Sequence, residues 1–160
     1  MILTTEMAAE ILGLKPWRVI KFAQGKEYGI RPSLADAKGS GSRRLYDLEN
    51  VCQIGLALRL LETGLRPKAI GKVISQVRKK EKLSNRLRQK TGDSHWLAIY
   101  RTPKMGELLN EKREQIVELV SSKQEAFQVS NHRPDDDLIL VPLASFFVQI
   151  RTGVSRFQGD

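Results

Sequence analysis

Residues 3–22 have the sequence LTTEMAAEILGLKPWRVIKF, in which two short helical patterns are separated by the tripeptide GLK. Thr4 or Thr5 is a suitable N-cap for the first helix, and Gly13 is a suitable stop. Pro16 suits the first position of the second helix, because its missing N–H would have no partner there. Two helices joined by so short a turn have the length of a helix-turn-helix.

The next stretch, residues 29–46, changes from helical to strand-like character. Gly, Ser and Pro residues interrupt it, and apolar residues suited to short strands lie on both sides of the tetrapeptide GSGS at residues 39–42. We therefore predict a β-hairpin with its tip at GSGS. Asp47 then caps a third helix that stops at Gly64, and Pro67 begins a fourth. The predicted core of this region consists of Ile11, Leu14, Phe22, Val51, Leu58, Leu61, Ile70 and Ile74.

These features, in this order, resemble the DNA-binding domain of the MerR family of transcriptional regulators. The sequence YGIRP at residues 28–32 resembles the entry to that family's wing, and residues 41–74, GSRRLYDLENVCQIGLALRLLETGLRPKAIGKVI, resemble its wing strand, third helix, glycine turn and fourth helix. The resemblance implies an α+β fold in which residues 1–77 form a winged helix-turn-helix with four helices and a β-hairpin wing. It further implies a sequence-specific transcriptional regulator that binds double-stranded DNA and is not an enzyme.

Three departures limit what can be transferred from the family. The second helix has Ile20, Lys21, Phe22 and Ala23 where the family commonly has an arginine followed by aromatic residues and an acid. The wing sequence ADAKGSGS is long, and a basic segment at residues 78–94 replaces the start of the family's long dimerisation helix. The base sequence that the chain recognises therefore remains open.

The second helix supplies the first group of predicted DNA contacts. Val19, Ile20 and Phe22 are suited to anchor the helix in the core, which leaves its polar residues for the major groove. Arginine pairs with guanine and lysine neutralises phosphates, whereas a tryptophan at this spacing is more often a packing residue. The predicted contacts from this helix are Lys15, Trp17, Arg18 and Lys21.

The wing supplies the second group. Arg43 and Arg44 follow the glycine-rich tip, where guanidinium groups can reach phosphates or a narrow minor groove. The RLY motif of the family implies that the Tyr46 hydroxyl donates to a phosphate. The alternative interpretation places Tyr46 in the core and pairs Arg44 with Asp47 or Glu49.

The charge distribution agrees with a polyanionic partner. Residues 1–94 carry 19 basic and 9 acidic side chains, a net charge of +10, whereas residues 95–160 carry 8 and 9, a net charge of −1. Basic side chains near phosphates release counterions and strengthen binding without reading sequence. An anionic membrane surface, or a surface that is merely solvated by lysines, would show the same excess.

The remainder of the chain is predicted to contain a basic linker or helix extension at residues 78–94 and a small α/β or helical region at residues 95–160. In that region we predict strands at residues 95–101 and 138–142 and helices at residues 105–127 and 144–157. The resemblance implies a homodimer, and it makes RNA polymerase and a small-molecule effector the further partners to consider. The apolar stripe of residues 105–127 is the candidate dimer interface, unless it packs on the two strands.

Other functional classes find less support. Cys52 is the only cysteine, which is typical of a reducing compartment. No apolar run reaches the roughly 20 residues of a membrane span, and the N-terminus lacks the basic region of a signal peptide. We therefore expect a cytoplasmic protein without a membrane partner. A metal-dependent nuclease or hydrolase would need His95 or His132 together with the acidic residues 135–137, which are more typical of a charged loop. We expect no cofactor and no metal. An excisionase-like protein that bends DNA as an architectural or recombination accessory factor is the main alternative.

Overall fold

The computed structural model describes residues 1–24, 26–32, 34, 43–88, 96–103, 113–120, 122, 124–125 and 138–158. The chain divides into two compact units. The helical unit consists of Met1–Thr91 and Ser145–Asp160, and the sheet unit consists of Gly92–Ala144. Helices and an antiparallel sheet are both present, so the predicted α+β class is confirmed. No helix within the described ranges is long and apolar enough to cross a membrane.

Helices α1 (Thr5–Leu12) and α2 (Pro16–Gln24) lie where the sequence predicts them. The Oγ1 atom of Thr4 accepts a hydrogen bond from the backbone N–H of Met7 at 3.3 Å, which caps α1. Gly13 follows α1 with φ 65°, a left-handed conformation that glycine adopts without strain at helix C-termini. The chain then needs only Leu14 and Lys15 to reach α2.

Helix α3 (Leu48–Glu62) forms the centre of the helical unit. A capping box begins it, because Asp47 accepts a hydrogen bond from the Asn50 N–H at 2.7 Å and the Asn50 side chain accepts one from the Asp47 N–H at 3.5 Å. Every residue from Asn50 to Ala57 is buried, as expected for a helix with neighbours around most of its circumference. Those neighbours include α1, α2, α4 (Pro67–Lys80) and α5 (Leu83–Arg88).

The core of this unit agrees in part with the prediction. The predicted core residues that are buried are Ile11, Phe22, Val51, Ile70 and Ile74. The prediction is wrong for Leu14, Leu58 and Leu61, which are half-buried. Because α3 is surrounded, its core runs through residues 50–57 and Leu60 rather than along the single face that helical spacing suggested.

The segment predicted as a basic linker or helix extension, residues 78–94, contributes to the helical unit. Helix α4 extends to Lys80, and α5 buries Leu83 and Leu87 within the helical unit. The backbone N–H of Ser84 donates to Glu49 Oε2 at 2.8 Å, which ties the start of α5 to α3. The helical unit therefore continues beyond residue 77.

Helix α6 (Ala144–Ser155) confirms the helix predicted at residues 144–157 but belongs to the helical unit. A Cβ atom on Gly153 would lie 2.9 Å from the Cα of Ile11, and one on Gly55 would overlap the ring of Phe146. These close approaches pack α6 against α1 and α3. The sequence predicts a single region at residues 95–160, and the structure instead separates α6 from it, because the buried aromatic residues of α6 complete the helical core.

The sheet unit contains three antiparallel strands in the order β2-β1-β3. Strands β1 (Trp96–Pro103) and β3 (Ile139–Pro142) confirm the predicted strands at residues 95–101 and 138–142. The predicted helix at residues 105–127 is wrong, because residues Arg113–Val120 form β2 and pair with β1 from Trp96 opposite Val120 to Pro103 opposite Arg113. The β-branched residues of this segment suit a pleated sheet, and pairing with a distant strand overrides the local helical spacing.

The predicted hairpin is described only at its base. The backbone N–H of Leu34 donates to the Leu45 carbonyl at 3.3 Å, and Tyr46 exchanges two backbone hydrogen bonds with Leu3, at 3.0 and 2.9 Å. The second contact is an antiparallel bridge that holds the end of this segment beside the N-terminus of α1. The predicted tip, GSGS at residues 39–42, lies outside the described residues.

Candidate nucleic-acid interface

Helix α2 has one face in the core and one in solvent. Val19 and Phe22 are buried as predicted, while Ile20 is only half-buried. The ring of Phe22 lies 4.9 Å from that of Tyr28, between centroids and with the planes tilted by 58°. This aromatic contact and the buried Val19 fix the rotation of α2 and so determine which side chains point outward.

The outward face of α2 carries the residues that the sequence predicts. Trp17 is 58% exposed, and Arg18 and Lys21 are exposed. At 100° per residue these three side chains fall within about a quarter to a third of the circumference of the helix. Lys15 is exposed just before the helix, and α2 contains no acidic residue. The alternative that Trp17 packs in the core is wrong.

Arg43 and Arg44 lie beside the N-terminus of α1. Arg43 is exposed and Arg44 is half-buried. With Ile20 of α2 they border a cleft of about 380 Å³, which we call the α1 cleft. The other residues that line it are Thr4, Thr5 and Glu6. Of the residues that line the α1 cleft, Ile20 comes from α2, whereas Arg18 and Lys21 do not line it.

Glu6 brings a negative charge to this cleft. The pKa of its carboxyl lies below the ordinary value of 4.5, because its own backbone N–H and then the Thr4 hydroxyl donate hydrogen bonds to the carboxylate, and the positive charge of Arg43 adds a smaller attraction. Glu6 is therefore ionised at neutral pH and partly neutralises Arg43. An anion that enters the α1 cleft meets this negative charge as well as the positive charge of Arg43.

Tyr46 corrects one predicted contact. Its side chain is fully buried, at 0% exposure, so its hydroxyl is not available to a phosphate in this conformation. The bridge with Leu3 explains the burial, because it draws the Leu45–Tyr46 segment against the helical unit. Tyr46 therefore belongs to the core, as the alternative interpretation holds.

The residues considered for metal or thiol chemistry do not form a described site. His95, His132 and the aspartates 135–137 all lie outside the described residues. In the part of the chain that is described, no three residues among His, Cys, Asp and Glu are placed to hold a metal ion. Cys52 is buried, and its pKa is raised well above the ordinary thiol value by burial first and then by the charges of Glu49 and Asp47. Its thiol is protonated and shielded from solvent.

The sequence did not indicate that Thr4, Thr5 and Glu6 would line a cleft with the two arginines. The capping signal TTE predicts a helix start, but only the bridge between Leu3 and Tyr46 brings this start beside Arg43 and Arg44. A contact between residues more than 40 positions apart has no local sequence signal.

No protein-family model matches the chain. No curated protein is similar to it at a significant level.

Proposed function

We propose that the helical unit is a winged helix-turn-helix that binds double-stranded DNA as a sequence-specific transcriptional regulator. The single observation that carries this proposal is the outward face of α2, where Trp17, Arg18 and Lys21 are exposed on a helix without an acidic residue. A helix with side chains is about 10–12 Å in diameter, which fits the roughly 12 Å wide major groove. Arg18 is suited to read a guanine edge and Lys21 to neutralise a phosphate.

The surroundings of α2 support the same function. The short turn at Gly13 and the backbone contact between Leu34 and Leu45 agree with a helix-turn-helix followed by a wing. Arg43 would then contact the sugar-phosphate backbone beside the groove that α2 occupies. This arrangement combines base contacts from one element with positioning contacts from another, as specific binding requires.

Duplex binding by paired variants tests the proposal. A fluorescent duplex of about 30 base pairs, chosen by selection from a randomised library, is titrated with the wild-type chain and with Arg18→Ala/Lys21→Ala. We expect the affinity of the double variant to fall roughly 10- to 100-fold and its discrimination against random duplexes to shrink. The matched control is Lys68→Ala/Lys72→Ala, which removes two exposed charges from α4 and should change the affinity several-fold less.

Two outcomes would contradict the proposal. In the first, the selection enriches no duplex sequence and the wild-type chain shows no saturable binding at low salt. In the second, the α2 variant and the α4 control lose affinity equally, which would mean that only the net charge matters. Far-UV circular dichroism of both variants establishes that neither loss comes from unfolding.

A further inference from the structure

A second cleft, which we call the α3 cleft, lies at the N-terminal end of α3 and at the C-terminal end of α4. Its volume is about 570 Å³, within the range of about 300–1,000 Å³ typical of small-molecule sites. It is lined by residues from the start of the hairpin segment, from α3, from α4 and from the link to α5. These residues are Gly29, Arg31, Asp47, Glu49, Asn50, Gln53, Arg78 and Lys82.

Two amide side chains of the lining are almost completely buried, and they are held in place. Asn50 is 5% exposed and Gln53 is 4% exposed. The Asn50 Nδ2 donates to the Arg31 carbonyl at 2.9 Å, and the Gln53 Nε2 donates to Glu49 Oε1 at 3.1 Å. Buried amides that are fixed in this way present polar groups in defined directions, as a binding site requires.

The two carboxylates of the lining already have structural roles. Asp47 caps α3 through its hydrogen bond from the Asn50 N–H. Glu49 accepts hydrogen bonds from Gln53 and from the Ser84 N–H at the start of α5. Their negative charge is thus partly compensated by N–H donors, and their remaining lone pairs are available to hydroxyl or amino groups of a ligand.

The three cationic side chains that line the α3 cleft differ from its two carboxylates in their surroundings. Arg31, Arg78 and Lys82 are exposed and come from three different segments. The ion pairs Arg59–Glu62 and Arg86–Glu81, in the described part of this unit, do not involve these three side chains. Two arginines and a lysine around one cleft are suited to an oxyanion, because guanidinium groups bind phosphate oxygens in pairs and an ammonium group adds a point charge.

We propose that the α3 cleft binds the phosphate group of a small phosphorylated molecule whose hydroxyl or amino groups reach Asp47 and Glu49. The phosphate would lie among Arg31, Arg78 and Lys82. A DNA backbone is a less suitable source of this phosphate, because its neighbouring phosphates would meet the two carboxylates of the lining. The inference does not rest on the proposed function, since α2 contributes no residue to the α3 cleft.

Titration of the full chain with two probes tests this inference. Inorganic phosphate and ribose 5-phosphate are added at constant ionic strength, with sodium chloride as the reference salt, and binding is followed by calorimetry and by amide chemical shifts. We expect saturable binding to one site, with ribose 5-phosphate the tighter ligand. Arg78→Ala/Lys82→Ala should weaken that binding at least about tenfold, since both side chains would lose charge-assisted hydrogen bonds to the phosphate. Lys68→Ala/Lys72→Ala, with the same loss of charge on exposed positions of α4, should leave it unchanged.

The result that would overturn the inference is the absence of saturation by either probe, or an equal loss in the two double variants. Thermal unfolding of both variants distinguishes a lost site from a lost fold. A duplex titration separates the two sources of phosphate. If Arg78→Ala/Lys82→Ala weakens duplex binding while neither small probe binds, the cleft contacts DNA and the proposed small ligand is wrong. If no duplex binding through α2 is observed but ribose 5-phosphate saturates the cleft, only the proposal of DNA binding is contradicted.

Discussion

Gly71 sets the distance between α4 and the turn that follows α2. A Cβ atom at this position would overlap the carbonyl oxygen of Glu27, which belongs to the backbone and has little freedom to move. The two segments therefore pack closely only because residue 71 lacks a side chain.

We expect Gly71→Ala to lower the free energy of unfolding by about 1–3 kcal/mol, the usual cost of overpacking. A loss of stability would be informative, because alanine is favoured over glycine in a helix by about 1 kcal/mol where the added methyl group meets no steric overlap. Urea denaturation measures the change. The control Lys72→Ala, on the exposed neighbouring residue, should stay within about 0.5 kcal/mol of the wild type. A stabilised Gly71→Ala protein would show that the close packing of α4 on Glu27 is absent.

Glu6 supplies a pH-dependent contribution to stability. Because its pKa is lowered in the folded chain, the stabilisation is fully present above the ordinary value of 4.5 and is lost as the pH falls through the folded value. We expect the stability of the wild type to decline more steeply than that of Glu6→Gln between about pH 6 and pH 3. Urea denaturation across this range measures both slopes. Identical slopes for Glu6→Gln and wild type would contradict the hydrogen bonds assigned to Glu6.

Single residues show where sequence reasoning succeeds and where it stops. Arg18 and Lys21 could be placed on the outward face of α2, because helical periodicity determines faces directly. Tyr46 could not be placed, because a motif that belongs to a family does not reveal whether a particular ring is buried. The bridge with Leu3 decides that, and it joins residues 43 positions apart.

At the scale of elements, α2 and α6 could both be predicted as helices from the sequence. The elements that each of them packs against could not be predicted. The caps, the glycine stop and the proline start are local signals, so the α1–turn–α2 segment could be derived from sequence. Strand β2 was missed because Ile116, Leu119 and Val120 also recur at helical spacing, and only the distant strand β1 decides between the two structures. The dimer interface predicted on a helix at residues 105–127 therefore has no basis, while the homodimer itself stays a prediction.

The packing of α6 on α1 depends on Gly153. A Cβ atom there would lie 2.9 Å from the Cα and 3.1 Å from the Cβ of Ile11. We expect Gly153→Ala to lower the midpoint of thermal unfolding by several degrees, since about 1 kcal/mol corresponds to roughly 2–4 °C in a chain of this size. Thr152→Ala, at an exposed position of the same helix, is the control. An unchanged midpoint for Gly153→Ala would place α6 away from α1.

At the scale of the whole molecule, the helical unit joins two segments that are distant in sequence. The buried side chains of α6 include Phe146, Phe147 and Ile150, and the loss of each would remove roughly 1.5–3 kcal/mol of hydrophobic stabilisation. A domain has a total stability of only about 5–15 kcal/mol. The excess of positive charge in residues 1–94 was visible in the sequence, but the dependence of that region on residues 145–158 was not.

We therefore expect a truncated chain of residues 1–91 to be largely unfolded or loosely packed at 25 °C. Near-UV circular dichroism and thermal denaturation measure this. Addition of a synthetic peptide with the sequence of residues 144–158 should restore cooperative unfolding, whereas the same peptide with Phe146→Asp should not. A cooperative transition of the truncated chain alone, at the midpoint of the full chain, would show that α6 is dispensable for the helical core.

The proposed DNA interface is tested most directly by amide chemical-shift mapping of the ¹⁵N-labelled chain with a selected duplex. We expect the largest changes at Lys15, Trp17, Arg18, Lys21 and Arg43, and they should weaken as salt is raised, by roughly 0.9 in log affinity per log salt for each phosphate contact. The indole N–H of Trp17 provides a separate signal on the outward face of α2. Tyr46 should show little direct change, because it is buried. Changes confined to the sheet unit or to α4, with α2 unaffected at saturation, would contradict the account.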